Sequence, residues 1–112
     1  MSDYTPDKWL IVKLTNKEQK VHYRVFASWY GGYLGSDSWK LNSGITKVTL
    51  DENGCYHFDG SSRSVYHCHK NGHGISSYGH SVLCEMIHGS VDHGVTIETI
   101  PEEIDPLTLV YE

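Results

Sequence analysis

The sequence predicts an α+β fold in which one helix packs on a mostly antiparallel β-sheet, and three observations predict it. Residues 21–30 alternate between two side-chain sets with a period of two, which is typical of a half-buried strand. Residues 76–88 carry an apolar stripe at helical spacing within 82–87, which indicates a helix packed against the sheet. Eleven glycines and only three prolines indicate many tight turns between short strands.

The strands follow from alternation and from turn signals. Residues 9–15 and 21–30 form an antiparallel hairpin across a polar turn at 16–19. The sequence Asp-Glu-Asn-Gly at 51–54 predicts a second hairpin turn. The further strands expected are 39–41, 45–50, 55–58, 63–69, 95–99 and, at a sheet edge, 107–111.

The helix has expected signals at both ends. Ser76 or Ser77 can cap its start, because a serine hydroxyl accepts a hydrogen bond from an unpaired N–H of the first turn. Gly89 suits the left-handed position just after a helix. These signals predict a helix over about 76–88.

Length and charge predict one domain with an uneven charge distribution. A chain of 112 residues fits a single domain, 1–112. The net charge is −5, and the C-terminal segment 90–112 holds six acidic side chains and no Lys or Arg. One interpretation is that this acidic segment keeps the protein soluble. The other is that it repels nucleic acid or mimics it. Direct binding of nucleic acid is therefore not expected.

The composition predicts a cytoplasmic protein. The start of the chain lacks the basic and apolar regions of a signal peptide, and the longest apolar run is 9–12. We therefore expect no membrane span. Three cysteines without framework spacing indicate free thiols in a reducing compartment.

The histidines suggest one candidate metal site. His67 and His69 share one face of a strand, and the positions 80, 84 and 88 share one helical face. The candidate ligands are His67, His69, His80, Cys84 and His88. Imidazole and thiolate are ligands that zinc prefers. The chain has neither Cys-x-x-Cys nor His-Glu-x-x-His, so isolated histidines are the alternative interpretation.

A glycine-rich loop before the helix suggests an anion site. Lys70, Gly72 and His73 lie where a helix N-terminus presents free N–H groups. Such a loop could hold a phosphate, and the alternative is an ordinary connecting loop.

An aromatic and glycine-rich segment suggests a surface that binds a partner. Its candidate residues are Tyr30, Tyr33, Leu34, Asp37 and Trp39. Tyrosine and tryptophan supply large contact areas with few rotatable bonds, which is typical of binding loops. The alternative is that Tyr30 and Trp39 pack into the core.

The sequence predicts no enzyme and no cofactor. Residues 74–79 depart from the nucleophile pattern Gly-x-Ser-x-Gly because Tyr78 replaces its second glycine. Cys68 lies between His67 and His69, but neighbours on a strand point to opposite faces. No nucleophile therefore has a matched base.

Two segments resemble small uncharacterised proteins of tailed bacteriophages. They are residues 29–45 (WYGGYLGSDSWKLNSGI) and 64–70 (SVYHCHK), and the resemblance covers about residues 5–85. It assigns no residue role. It implies a setting in which small phage proteins bind and inhibit host machinery, including restriction and CRISPR defences.

The function expected from these observations is that of a non-enzymatic cytoplasmic interaction protein. Its partner would be a host or defence protein complex, and an anti-CRISPR or anti-restriction protein is the kind of inhibitor implied. Two alternatives stay open. One is a domain that binds zinc or a small ligand through the histidine-rich segment 67–88, and the other is a structural phage component.

Overall fold

A computed structural model describes residues 2–30, 37–109 and 111, and within them the chain forms eight strands and one α-helix. The helix is α1 (Ser77–Val91), and two short 3₁₀ helices lie at Lys70–Gly72 and Pro106–Thr108. The strands are β1 (Ser2–Tyr4), β2 (Lys8–Thr15), β3 (Val21–Trp29), β4 (Ser38–Leu41), β5 (Ile45–Leu50), β6 (Cys55–Gly60), β7 (Ser64–His69) and β8 (Thr96–Ile100).

These strands form two sheets of four. The first sheet has the order β1-β7-β6-β5, and the second has the order β4-β3-β2-β8. Among the described strands, only β1 and β7 pair in parallel, and the other neighbours are antiparallel. The expected α+β class, mostly antiparallel with one helix, is confirmed.

Strand β2 lies at the centre of the molecule and is buried on both faces. Trp9 and Ile11 pack into a core between the two sheets. Leu10 and Val12 pack into a second core, under α1. The continuous apolar run 9–12 therefore belongs to a strand covered by a sheet on one side and a helix on the other.

The helix begins where expected and ends later than expected. The hydroxyl of Ser76 accepts a hydrogen bond from the Gly79 N–H at 3.0 Å, which identifies Ser76 as the cap. Gly89 does not follow the helix but lies within it, because regular backbone continues to Val91. The left-handed conformation falls instead at Gly94, with φ of 72°. The expected boundary at His88 is therefore wrong by three residues.

The expected edge strand 107–111 is wrong, and a 3₁₀ helix replaces it at Pro106–Thr108. Proline has a fixed φ and no N–H, so it favours the first position of a helical turn. Asp105 caps this turn by accepting a hydrogen bond from the Leu107 N–H at 3.0 Å. The Tyr111 hydroxyl donates to the Pro106 carbonyl at 2.7 Å. These contacts stabilise the helical turn at Pro106–Thr108 and attach Tyr111 to it.

Candidate metal centre and candidate binding surfaces

Strands β6 and β7 present chemically active side chains on the outer face of the first sheet. Tyr56, Phe58, Tyr66 and Cys68 are buried on the inner face. Because side chains alternate along a strand, Cys55 and His57 of β6 point outward, as do His67 and His69 of β7. The register pairs His57 with His67, which brings the two imidazoles side by side.

The hairpin turn between β5 and β6 positions Asp51 above this face. Its Oδ1 accepts hydrogen bonds from the N–H groups of Asn53 at 2.8 Å and Cys55 at 3.0 Å. Gly54 has a φ of 81°, a left-handed conformation that glycine adopts without steric cost. With Oδ1 engaged by the backbone, Oδ2 accepts a hydrogen bond from His57 Nε2 at 2.8 Å.

Asp51, Cys55 and His57 form a compact group of potential metal ligands. One ligand atom from each lies within 4.8 Å of the other two, and all three residues are half-buried. A carboxylate, a thiolate and an imidazole together match the ligand types of zinc. Among the described residues, no other group of three potential ligands occurs.

A chain of polar contacts extends from this group across the sheet. His57 Nδ1 lies 2.7 Å from His67 Nδ1, so one imidazole donates and the other accepts. His67 Nε2 lies 3.7 Å from the Asp3 carboxylate on β1. The ring of His57 is therefore held at both nitrogens, by Asp51 on one side and by His67 on the other.

The electrostatics of the group favour a proton or a cation between its members. The hydrogen bond from His57 and the backbone N–H of Cys55 lower the pKa of the Asp51 carboxyl. Burial, and then the charge of Asp51, raise the pKa of the Cys55 thiol. Asp51 thus stays ionised while Cys55 keeps its proton, until a cation offsets the charge of both.

The five ligands that the sequence suggested are spread over separate places. His67 belongs to the polar chain through His57, whereas exposed His69 accepts a hydrogen bond from the Asn71 N–H at 3.1 Å. On α1, the Cys84 sulfur lies 3.8 Å from the His80 ring nitrogens, and His88 is exposed. Described residues of this set form no group of three.

Asp51, Cys55 and His57 were missed by sequence reasoning, although a signal existed. Cys55 and His57 alternate on one strand face directly after the hairpin turn at 51–54. An aspartate that opens such a turn commonly accepts backbone hydrogen bonds within it, which orients its free oxygen. The turn and the strand that follows it therefore carry the signal for the group together.

The candidate partner surface is described in part, because Tyr33 and Leu34 lie outside the described residues. Tyr30 is 54% exposed, and its N–H donates to the Asp7 carboxylate at 2.8 Å. Trp39 is 38% exposed, and its ring stacks on Phe26 at 5.7 Å. Asp37 precedes β4 and is half-buried. Tyr30 and Trp39 thus remain accessible to a partner.

Lys70, Gly72 and His73 lie together near Trp9 but before the helix. They belong to or follow the 3₁₀ helix at Lys70–Gly72, whereas α1 starts at Ser77. Lys70 and His73 line a cavity of about 260 Å³ that three acidic residues also line. These acidic residues are Glu102, Glu103 and Asp105. The negative charges of these carboxylates disfavour the binding of an anion in this cavity.

No helix in the described part of the chain has both the length and the apolar character that a membrane crossing needs.

Comparison of the chain with models of known protein families, with curated protein sequences and with solved structures finds no match.

Proposed function

We propose that this protein is a non-enzymatic binding domain that holds one transition-metal ion of the zinc class through Asp51, Cys55 and His57. The observation that carries the proposal is the mutual approach of their three ligand atoms within 4.8 Å. Tetrahedral zinc has bonds of about 2.0–2.3 Å to its ligand atoms. Three ligand atoms this close to one another can therefore all reach one ion after small adjustments.

The contacts around His57 support the assignment. A histidine that binds a metal through one nitrogen almost always has its other nitrogen held by a hydrogen bond. His67 Nδ1, at 2.7 Å, is in position to accept the Nδ1 proton of His57. That tautomer leaves Nε2 of His57 free to bind the metal beside Asp51 Oδ2.

Charge balance favours a divalent, borderline-soft ion. Asp51 and a deprotonated Cys55 supply two negative charges, and neutral His57 supplies none. Such a ligand set neutralises a divalent cation, and the thiolate favours zinc over magnesium or calcium. Binding releases the Cys55 proton, and neutral His57 carries its one proton on Nδ1, towards His67, so that Nε2 can bind the ion. A fourth position stays open for water or for a group of a partner.

Metal analysis of protein purified without a histidine tag tests the proposal. We expect about one zinc ion per chain after equilibration with zinc and removal of excess metal. Cys55→Ser should lose this zinc, whereas Cys84→Ser, the control at the other half-buried cysteine, should keep it. Zinc retained by a folded Cys55→Ser variant, or no zinc bound by the wild-type protein, would contradict the site.

A second proposal is that the protein acts in the cytoplasm as a phage-encoded inhibitor that binds a host or defence complex. The exposed rings of Tyr30 and Trp39 favour this function, since such side chains dominate binding hot spots. The three free cysteines are compatible with a reducing compartment.

Affinity capture from host lysate tests the second function. One specific complex should be recovered with wild-type protein and with Tyr78→Ala, which removes an exposed aromatic ring elsewhere on the surface. Trp39→Ala should lose that complex while it stays folded by circular dichroism. Equal recovery with Trp39→Ala would contradict the assignment of this surface.

A further inference from the structure

A cavity of about 230 Å³ carries positive charge in a chain whose net charge is −5. Arg24 and Lys40 line it, and its lining contains no carboxylate. The ion pairs of the described residues involve neither Arg24 nor Lys40. The two cations therefore face the cavity without a neutralising acid, which favours an anionic ligand.

Two buried N–H donors without acceptors belong to the same lining. Among the described residues, the buried side-chain nitrogens or oxygens that lack a hydrogen-bond partner are Arg24 Nε and Asn42 Nδ2. Asn42 is only 2% exposed, and its Oδ1 accepts a hydrogen bond from the Val25 N–H at 2.8 Å. That bond fixes the amide and leaves the NH₂ group as the end without a partner. Unpaired buried donors destabilise a fold, so an acceptor is expected here.

Hydroxyl groups complete the polar lining of the cavity. The Ser43 hydroxyl donates to Ser62 Oγ at 3.0 Å, and Ser62 Oγ lies 3.5 Å from Ser64 Oγ. Tyr66 also lines the cavity, and burial raises the pKa of its phenol to about 12, so it keeps its proton at neutral pH. The Lys40 ammonium lies 4.9 Å from the centre of the Tyr4 ring, a cation–π contact between two residues of the lining.

We infer that this cavity binds a small oxyanion, a phosphate or the phosphate group of a monoester, through Arg24, Lys40 and Asn42. Guanidinium and ammonium groups are the side chains that recognise phosphate, and the amide supplies a neutral donor. Pockets that enclose drug-sized ligands measure roughly 300–1,000 Å³, so this cavity fits an anionic group rather than a whole nucleotide. The site is separate from the metal ligands and does not depend on them.

Calorimetric titration with inorganic phosphate and with glycerol 3-phosphate tests the inference at constant ionic strength. Arg24→Gln and Lys40→Gln should each weaken binding, Arg24→Gln by about tenfold or more because charge-assisted hydrogen bonds are lost. Lys47→Gln is the matched control, since it removes another exposed positive charge, on β5 and outside the cavity. Cys55→Ser should bind phosphate as the wild-type protein does, which separates this site from the metal centre.

Nuclear magnetic resonance gives a second measurement. Phosphate should shift the ¹H–¹⁵N signals of Arg24 Nε and the Asn42 side-chain amide, because both donors gain an acceptor. Tighter binding of the monoester would assign an organic phosphate as ligand, and tighter binding of inorganic phosphate would assign the free anion. No binding of either probe, or equal weakening by Lys47→Gln and Lys40→Gln, would overturn the inference.

Discussion

The Nδ1 atoms of His57 and His67 lie 2.7 Å apart on neighbouring strands. At this distance, one proton lies between the two nitrogens, because two N–H groups would repel and two lone pairs would form no bond. His57 Nε2 lies 2.8 Å from the Asp51 carboxylate, so each ring nitrogen of His57 has one defined partner. The pair fixes the orientation of the imidazole that we assign to the metal.

The first prediction concerns the support that His67 gives to His57. His67→Ala should lower zinc affinity by roughly 10–100-fold, because loss of an outer hydrogen-bond partner frees the ligating ring. Competition with a chromophoric zinc chelator measures the affinity. His69→Ala is the control, because His69 is exposed on the same strand face and bonds to Asn71 instead. Equal affinities of the two variants would contradict the role of His67.

The second prediction concerns the three cysteines. Cys68 is 0% exposed, and burial raises the pKa of its thiol far above the ordinary value, so alkylating reagents should leave it unmodified in the native protein. Zinc should protect Cys55 from iodoacetamide and leave the labelling of Cys84 unchanged. Mass spectrometry of labelled peptides measures all three sites. Zinc protection of Cys84 alone would place the metal on α1 instead.

The third prediction concerns stability in alkaline solution. Burial raises the pKa of Tyr66 from 10.0 to about 12, so above pH 10 the unfolded chain loses this proton while the folded protein keeps it. Its stabilising contribution is therefore complete below pH 10 and falls as the pH rises towards about 12.

Urea denaturation at several alkaline pH values measures this loss. Tyr66→Phe, which keeps the ring but has no ionisable hydroxyl, should lose less of its free energy of unfolding over that range than the wild-type protein does. Tyr78→Phe is the control, because Tyr78 is exposed on α1. An unchanged pH dependence in folded Tyr66→Phe would refute the assignment to Tyr66.

The fourth prediction concerns the start of the helix. Ser76→Ala should lower the free energy of unfolding by about 1 kcal/mol, because it removes the acceptor for the Gly79 N–H. Ser77→Ala should have a smaller effect, since Ser77 is the exposed first residue of α1. Urea denaturation of both variants measures the difference, and a larger loss in Ser77→Ala would identify Ser77 as the cap.

Local patterns predicted most elements because their physical causes are local. Alternation predicted the β2–β3 hairpin, and a hydroxyl at the start of an apolar stripe predicted α1. The prediction of a strand at 107–111 was wrong because the alternation there competed with Asp105 and Pro106. The cap supplied by Asp105 and the fixed φ of Pro106 favour a helical turn. Strand β1 was missed because three residues carry little periodic signal, and it pairs with β7, far along the chain.

Patterns among near neighbours in the chain were enough to predict the fold class and the turn at 51–54, because turn chemistry and strand alternation act over a few residues. The division into two sheets and the burial of β2 on both faces became visible only in the folded chain. Only the register of β6 against β7 brought His67 to His57. Such pairings join distant segments, so they depend on the packing of the whole chain.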